Sequence, residues 1–183
     1  MSRNEFELDV VSVKLVKSAK VHAEDKIKDP ESAIRAVGEL LKDADREVVG
    51  VINLASDGTP INLHIVSIGT LNATLVEPRE MLKSSILSNA ARMIMVHNHP
   101  SRDMMPSKED IMITDRMAKI CTMVGIPLID HVIVGDDNHS YFSFKEKGMV
   151  EYKGSIRYET DLKHIHLDKV AERSMKDDEV HRR

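Results

Sequence analysis

Tryptophan is absent from the chain, and Tyr and Phe occur only three times each. No core can rest on aromatic packing, so it falls to Val, Ile, Leu and an unusual eleven Met. Cysteine occurs once, as Cys121, which excludes an internal disulfide and suits a reducing compartment. No stretch approaches the roughly 20 consecutive apolar residues of a membrane span. The opening MSRNEFELDVVSVK holds no apolar segment of signal-peptide length either. The expectation is a cytoplasmic protein that does not use a membrane. A basic excess is also missing: the formal net charge is −4. Nucleic-acid binders draw affinity from counterions that Lys and Arg release from phosphates, so DNA is left only a local basic patch.

What is present reads as an α/β domain within 183 residues, 42% of them hydrophobic and 31% charged. Residues 10–16 (VVSVKLV) are rich in β-branched side chains and predict a strand. Asp29-Pro30 opens a helix, with Asp29 as N-cap and Pro30 at its first position. Ala33, Ile34, Val37, Leu40, Leu41 and Ala44 follow at helical spacing and give it one buried face. Glu47 leads into VVGVINL, and the turn Ser56-Asp57-Gly58-Thr59 with INLHIVSIG completes a hairpin. A second helix starts near Pro78 and turns Met81, Leu82, Ile86, Leu87 and Ala90 inward. RMIMVH (92–97) is almost continuously apolar, the pattern of a strand buried on both faces.

A polar loop, Asn98 to Pro106, precedes a long helix from Ser107 to about Val124, with Gly125 as C-cap and Pro127 beyond. LIDHVIVG and SYFSF predict two last strands around a Gly-Asp-Asp-Asn turn. The order β-α-β-β-α-β-α-β-β makes a mixed sheet packed with helices. This domain takes in residues 1–149. Residues 150–183, with eight acidic and eight basic residues and no clear periodicity, read as a charged extension, partly disordered or loosely docked.

The chemistry concentrates between His97 and Asp110. Side chains alternate across a strand, so His97 and His99 leave the strand end on the same side and can share one metal ion. The loop is long enough to turn back over that ion, and Asp110 in the first turn of the next helix can add a carboxylate oxygen. Two imidazole nitrogens and one carboxylate leave a fourth tetrahedral position for water, the mark of a catalytic zinc site. A carboxylate nearby must then carry the proton, and Glu47 is the candidate, with Glu77 and Glu80 as competitors. Ser107, at the loop–helix junction, suits a developing oxyanion. Ser107 and Asp110 also form a helix capping box, so Ser107 can do both jobs.

The pattern His-x-His-Pro-x6-Ser-x2-Asp, with Glu47-Val48-Val49-Gly50 upstream, resembles the signature of the JAMM (MPN-plus) metalloprotease superfamily. GTLNATLVEPRE (69–80), HNHPS, LIDHVIVGD (128–136) and SFKEKG (143–148) resemble its RadC branch in particular, and the likeness covers roughly residues 10–150. The resemblance implies an MPN/JAB fold of cytidine-deaminase-like type and one Zn2+ per chain held by His97, His99 and Asp110. It implies Glu47 as general acid/base, Ser107 as oxyanion helper, and hydrolysis of an amide or isopeptide bond in an extended peptide or protein segment. In two respects the chain departs from RadC proteins. Where a helix-hairpin-helix module is usual there are only a few dozen residues, which read as the domain's own first strand and helix, and Arg102 stands where the loop usually has Gly.

Other readings stay beside this one. A RadC-like accessory protein of DNA repair or recombination would bind DNA or a protein partner around a structural or vestigial metal site. Two His and one carboxylate also suit non-haem iron. His131, next to Asp130, reads as a hydrogen-bonded core histidine, His64 as a strand-surface residue, and His164-x-His166 as a solvated pair. Cys121 belongs to an apolar helix face, and Met104 and Met105 offer pliable contacts to a substrate. No oligomeric state is specified by these patterns.

Overall fold

The element that carries the site is a strand flanked on both sides by others. In the computed structural model, which describes residues 8–41, 44–69, 77–101, 103–137 and 139–150, β1 (Val48–Leu54) and β2 (Pro60–Ile68) form the expected hairpin. Its turn brings Gly58 to φ +86°, where a Cβ would lie 2.8 Å from the Ile27 carbonyl oxygen. Only glycine fits there, and the Gly58 carbonyl accepts from the Ile27 N–H at 2.9 Å. β3 (Arg92–Asn98) pairs antiparallel with β1, β4 (Leu128–Val134) runs parallel to β3, and β5 (Tyr141–Ser143) closes antiparallel on β4. The sheet order is β2-β1-β3-β4-β5, a mixed sheet of the kind expected.

The strand predicted over 10–16 does not form. Among the described residues no helix or strand begins before Pro30, and Val10, Val11, Val13 and Val16 are exposed. β-branched residues favour a strand only when a neighbour takes up its N–H and C=O groups, and no described strand pairs with this segment. Arg102, residues 70–76 and the charged extension from 151, with His164 and His166, lie outside the described residues.

Alternation along the strands sorts their side chains between two cores. Val48, Ile52 and Leu54 of β1, Ile94 and Val96 of β3, and Val132 and Val134 of β4 face α1 (Pro30–Leu41) through Ile34, Val37 and Leu41. Asp29 caps α1 as predicted, its Oδ1 accepting from the Ser32 N–H at 2.8 Å, but Leu40 turns outward. On the other face Val49, Val51, Met93 and Met95 meet α2 (Pro78–Leu87) and α3 (Lys108–Val124) through Met81, Leu82, Met117 and Cys121. Methionine fills this face where aromatics would otherwise stand.

The inner face of α2 is the expected one only in part, since Met81 and Leu82 are buried as predicted. Ile86 and Leu87 are exposed, while Ser84 and Ser85 are buried. The reason lies on β1, where Asn53 is wholly buried. Its Nδ2 donates to Asn62 Oδ1 and Ser84 Oγ, and its Oδ1 accepts from Ser85 Oγ. A buried amide needs partners, and the two serines supply them. No helix among the described residues is long and apolar enough to cross a membrane.

Candidate metal centre

Three elements meet at the carboxyl end of β3. His97 follows Met93 and Met95 at two-residue steps, so it points to the α3 face of the sheet. The antiparallel register sets Val49 opposite His97, so Glu47, two residues before Val49, falls opposite position 99. α3 starts at Lys108 with Ser107 as its N-cap, and Asp110 in its first turn faces the strand end. Both halves of the predicted capping box are present: Ser107 Oγ accepts from the Asp110 N–H at 3.1 Å, and Asp110 Oδ2 accepts from the Ser107 N–H at 2.8 Å.

Glu47, His97, His99 and Asp110 each bring one potential ligand atom within 4.8 Å of the others. The two Nε2 atoms of His97 and His99 lie 2.9 Å apart. Asp110 Oδ1 is 3.3 Å from His97 Nε2, Oδ2 is 3.4 Å from His99 Nε2, and Glu47 Oε1 is 3.9 Å from His99 Nε2. His97 and Asp110 are fully buried, whereas His99 and Glu47 keep 15% and 16% of their side-chain surface. The group therefore has a closed side and an open side. Asp103 returns to the histidines, its carbonyl accepting from His99 Nδ1 at 2.5 Å.

The charges are arranged to receive a cation. Burial is the largest influence on Asp110 and would push its pKa up. Hydrogen bonds from His99 and Ser107 and the nearby His97 outweigh it, and the carboxyl sits well below the ordinary range. Burial, then the neighbouring His131, holds His97 neutral far below the usual histidine value. His99 is raised by its contact with Asp110, against burial. A charged carboxylate and two imidazoles thus converge on one point. The residues there fit a metal ion, because Asp110 Oδ1 is buried and has no hydrogen-bond partner. An orphaned acceptor of that kind costs about 1–3 kcal/mol, and a cation shared with two imidazoles removes the cost. A set of two nitrogens and a carboxylate oxygen suits zinc.

Of the competing carboxylates, Glu77 sits 3.6 Å from Arg116 and Glu80 pairs with Lys83 at 2.5 Å. Neither joins the four-residue group, whereas Glu47 does. The Ser107 hydroxyl donates to Asp110 Oδ2 at 2.6 Å, so in this arrangement it serves the carboxylate. Cys121 is a buried core thiol, and His64 is half-buried on β2 with its Nδ1 enclosed. Met105 is exposed and Met104 lies against Gly135.

Asn98 and Thr114 carry work at the site that the sequence did not assign, and His131 is the hydrogen-bonded core histidine expected, now with a partner at the site. Asn98, between the two histidines, accepts from the Val48 N–H at 2.9 Å and donates to the Arg46 carbonyl at 3.2 Å. Those bonds clamp the backbone on both sides of Glu47. His131 Nε2 lies 2.8 Å from His97 Nδ1, and its Nδ1 lies 2.6 Å from Thr114 Oγ1. The only signal in the sequence was the place of Asn98 inside His-Asn-His and of His131 on a core strand.

A mixed α/β domain that gathers a glutamate from just ahead of one strand, two histidines at the end of a neighbouring strand and an aspartate in the helix that follows is the architecture of a JAB-type domain. Residues 27–149 match the RadC-like JAB domain family, about two thirds of the sequence, and the chain belongs to that family. It is similar to UPF0758 proteins. One from Desulforamulus reducens is 42% identical over 124 residues, covering 68% of this chain and 54% of the relative. One from Syntrophomonas wolfei is 43% identical over 128 residues, with 68% and 54% covered. One from the archaeon Methanosarcina mazei is 37% identical over 126 residues, with 69% and 54% covered. The chain spans about half the length of the curated relatives it matches.

Proposed function

We propose that the protein is a zinc-dependent metallopeptidase that hydrolyses an amide or isopeptide bond in an extended peptide segment. The observation that supports this most is the buried, unpartnered Asp110 Oδ1 facing two imidazole nitrogens with Glu47 on the open side. In this reading His97, His99 and Asp110 hold one zinc ion. Bound there, zinc supplies Lewis acidity, lowering the pKa of water toward neutrality and polarising a carbonyl. Glu47, partly exposed on the side that solvent and substrate reach, takes a proton at its carboxylate and returns it to the leaving amine. Ser107 turns its hydroxyl from Asp110 Oδ2 to the developing oxyanion, while the Ser107 N–H keeps the aspartate in place.

The surroundings suit an extended substrate. An open groove is lined by Met104, Met105, Phe142, Lys147 and Met149, and also by Asp103, the residue whose carbonyl anchors His99. β5 has a pairing partner on one side only among the described strands, and a peptide can add to such an edge. The proposed setting is the cytoplasm, consistent with one buried thiol. The test is Glu47→Gln, which should keep wild-type zinc content and lose turnover of peptide and isopeptide substrates. Unchanged turnover in that variant would contradict the role of Glu47. A wild type that takes up no zinc would shift the reading to an accessory protein of DNA repair or recombination.

A further inference from the structure

His97 can present a lone pair to a cation only if its proton is on Nδ1. An imidazole with one proton has two tautomers, and the one with Nε2–H would aim a hydrogen at Asp110 and His99 instead. Histidine ligands commonly donate their second N–H to a carbonyl or carboxylate, an acceptor that admits one polarity alone. The partner of His97 Nδ1 is instead another histidine, His131, which can donate or accept. Something else must fix the direction.

The fixed point is a backbone carbonyl. Thr114 Oγ1 touches both the Asp110 carbonyl oxygen and His131 Nδ1. A carbonyl has no hydrogen to give, so the single hydroxyl hydrogen of Thr114 goes to Asp110. The hydroxyl oxygen then accepts from His131 Nδ1–H, which leaves the neutral His131 with a bare Nε2. That nitrogen accepts from His97 Nδ1–H, and His97 Nε2 is bare in turn. His99 is fixed separately, because its Nδ1 can only donate to the Asp103 carbonyl. Both rings thus direct Nε2 to one place. Phe144, itself buried, stacks on the His131 ring with centroids 4.8 Å apart and planes 13° apart, which holds the ring in the plane the two bonds need.

We propose that Thr114 and His131 are positioning residues that lock His97 in its Nδ1-protonated tautomer, the polarity being set by the backbone carbonyl of Asp110. The inference rests on the metal-site reading for its purpose, but the tautomer itself is a property of the metal-free protein. It also gives Asp110 a second job: its side chain faces the cation position while its main chain orients the histidine across from it.

The test uses the purified full chain with zinc removed, and two readouts. Long-range 15N–1H correlation spectra report which ring nitrogen of His97 carries the proton. Competition with a chromophoric chelator reports zinc affinity. The wild type should show His97 and His131 protonated at Nδ1 only. Thr114→Val keeps the shape but removes the hydroxyl. It should give mixed tautomers at both histidines and bind zinc about 10- to 100-fold more weakly, and Thr114→Ser should restore both properties. Wild-type His97 protonated at Nε2 would overturn the proposal, as would a Thr114→Val protein with unchanged tautomers and zinc affinity within twofold. Should the valine variant fail to fold, the wild-type spectrum and the serine variant still decide. A wild type with the expected tautomers that binds no zinc would defeat the metal-site reading alone.

Discussion

Replacing Asn98 with alanine should loosen Glu47, the proposed general base, without touching a proposed ligand. The Asn98 side chain is buried and makes two backbone hydrogen bonds, accepting from Val48 and donating to Arg46. Val48 is itself buried, so its N–H would be left without a partner and without water. That orphan costs about 1–3 kcal/mol and the second bond about 1 kcal/mol, a loss of about 2–4 kcal/mol together. Urea denaturation of the metal-free wild type and variant measures it, with Ser101→Ala in the exposed loop as a control expected within about 0.5 kcal/mol of wild type. Zinc content should remain, because His97, His99 and Asp110 are intact. Turnover should drop on the order of 10- to 100-fold, because a carboxylate misplaced by even about 1 Å loses that much. A stability loss below about 0.5 kcal/mol, or full turnover in the variant, would refute the clamp.

Other predictions follow from buried groups away from the site. Burial pushes the Cys121 thiol up to about 12, so thiol reagents at pH 8 should leave the native protein unlabelled and react once it is unfolded. Asp130 accepts from the His131 and Lys145 amides and from Ser143 Oγ, so Asp130→Ala should cost about 2–4 kcal/mol in orphaned donors. Burial nevertheless raises the Asp130 carboxyl. Folding therefore favours its protonated form, and its contribution is greatest below the unfolded value and falls as pH rises through the folded one. Asp130→Asn, which keeps the acceptor and cannot ionise, should stay within about 1 kcal/mol of wild type at pH 7 and flatten that dependence in denaturation curves. Zinc at 100 times its dissociation constant should stabilise the protein by about 2.7 kcal/mol, and chelation should reverse the gain in thermal melts.

What the sequence discloses depends on whether the partners of a residue are near it in the chain. α3 was legible end to end, because Ser107, Asp110, Gly125 and Pro127 are local signals and each occupies its expected place. β3 was legible from its unbroken apolar run. The grouping of His97, His99 and Asp110 followed from two-residue alternation and one turn. Glu47 was ambiguous against Glu77 and Glu80, because only the β1–β3 register, with Val49 opposite His97, brings position 47 to position 99. Ile86 and Leu87 were misread as inward for a similar reason, since Asn53 on a distant strand recruits Ser84 and Ser85. VVSVKLV has the composition of a strand without a paired neighbour, and composition does not report pairing. Thr114 and His131 are seventeen residues apart and meet only when α3 lies on β4.

The central claim is that the four-residue group binds a metal, and elemental analysis of the purified, tag-free protein tests it most directly. Wild type and the His97→Ala/His99→Ala double variant would be measured side by side after supply of zinc. Close to one zinc per chain is expected in the wild type and none in the variant. A wild type without zinc, or a variant that keeps full occupancy, would contradict it.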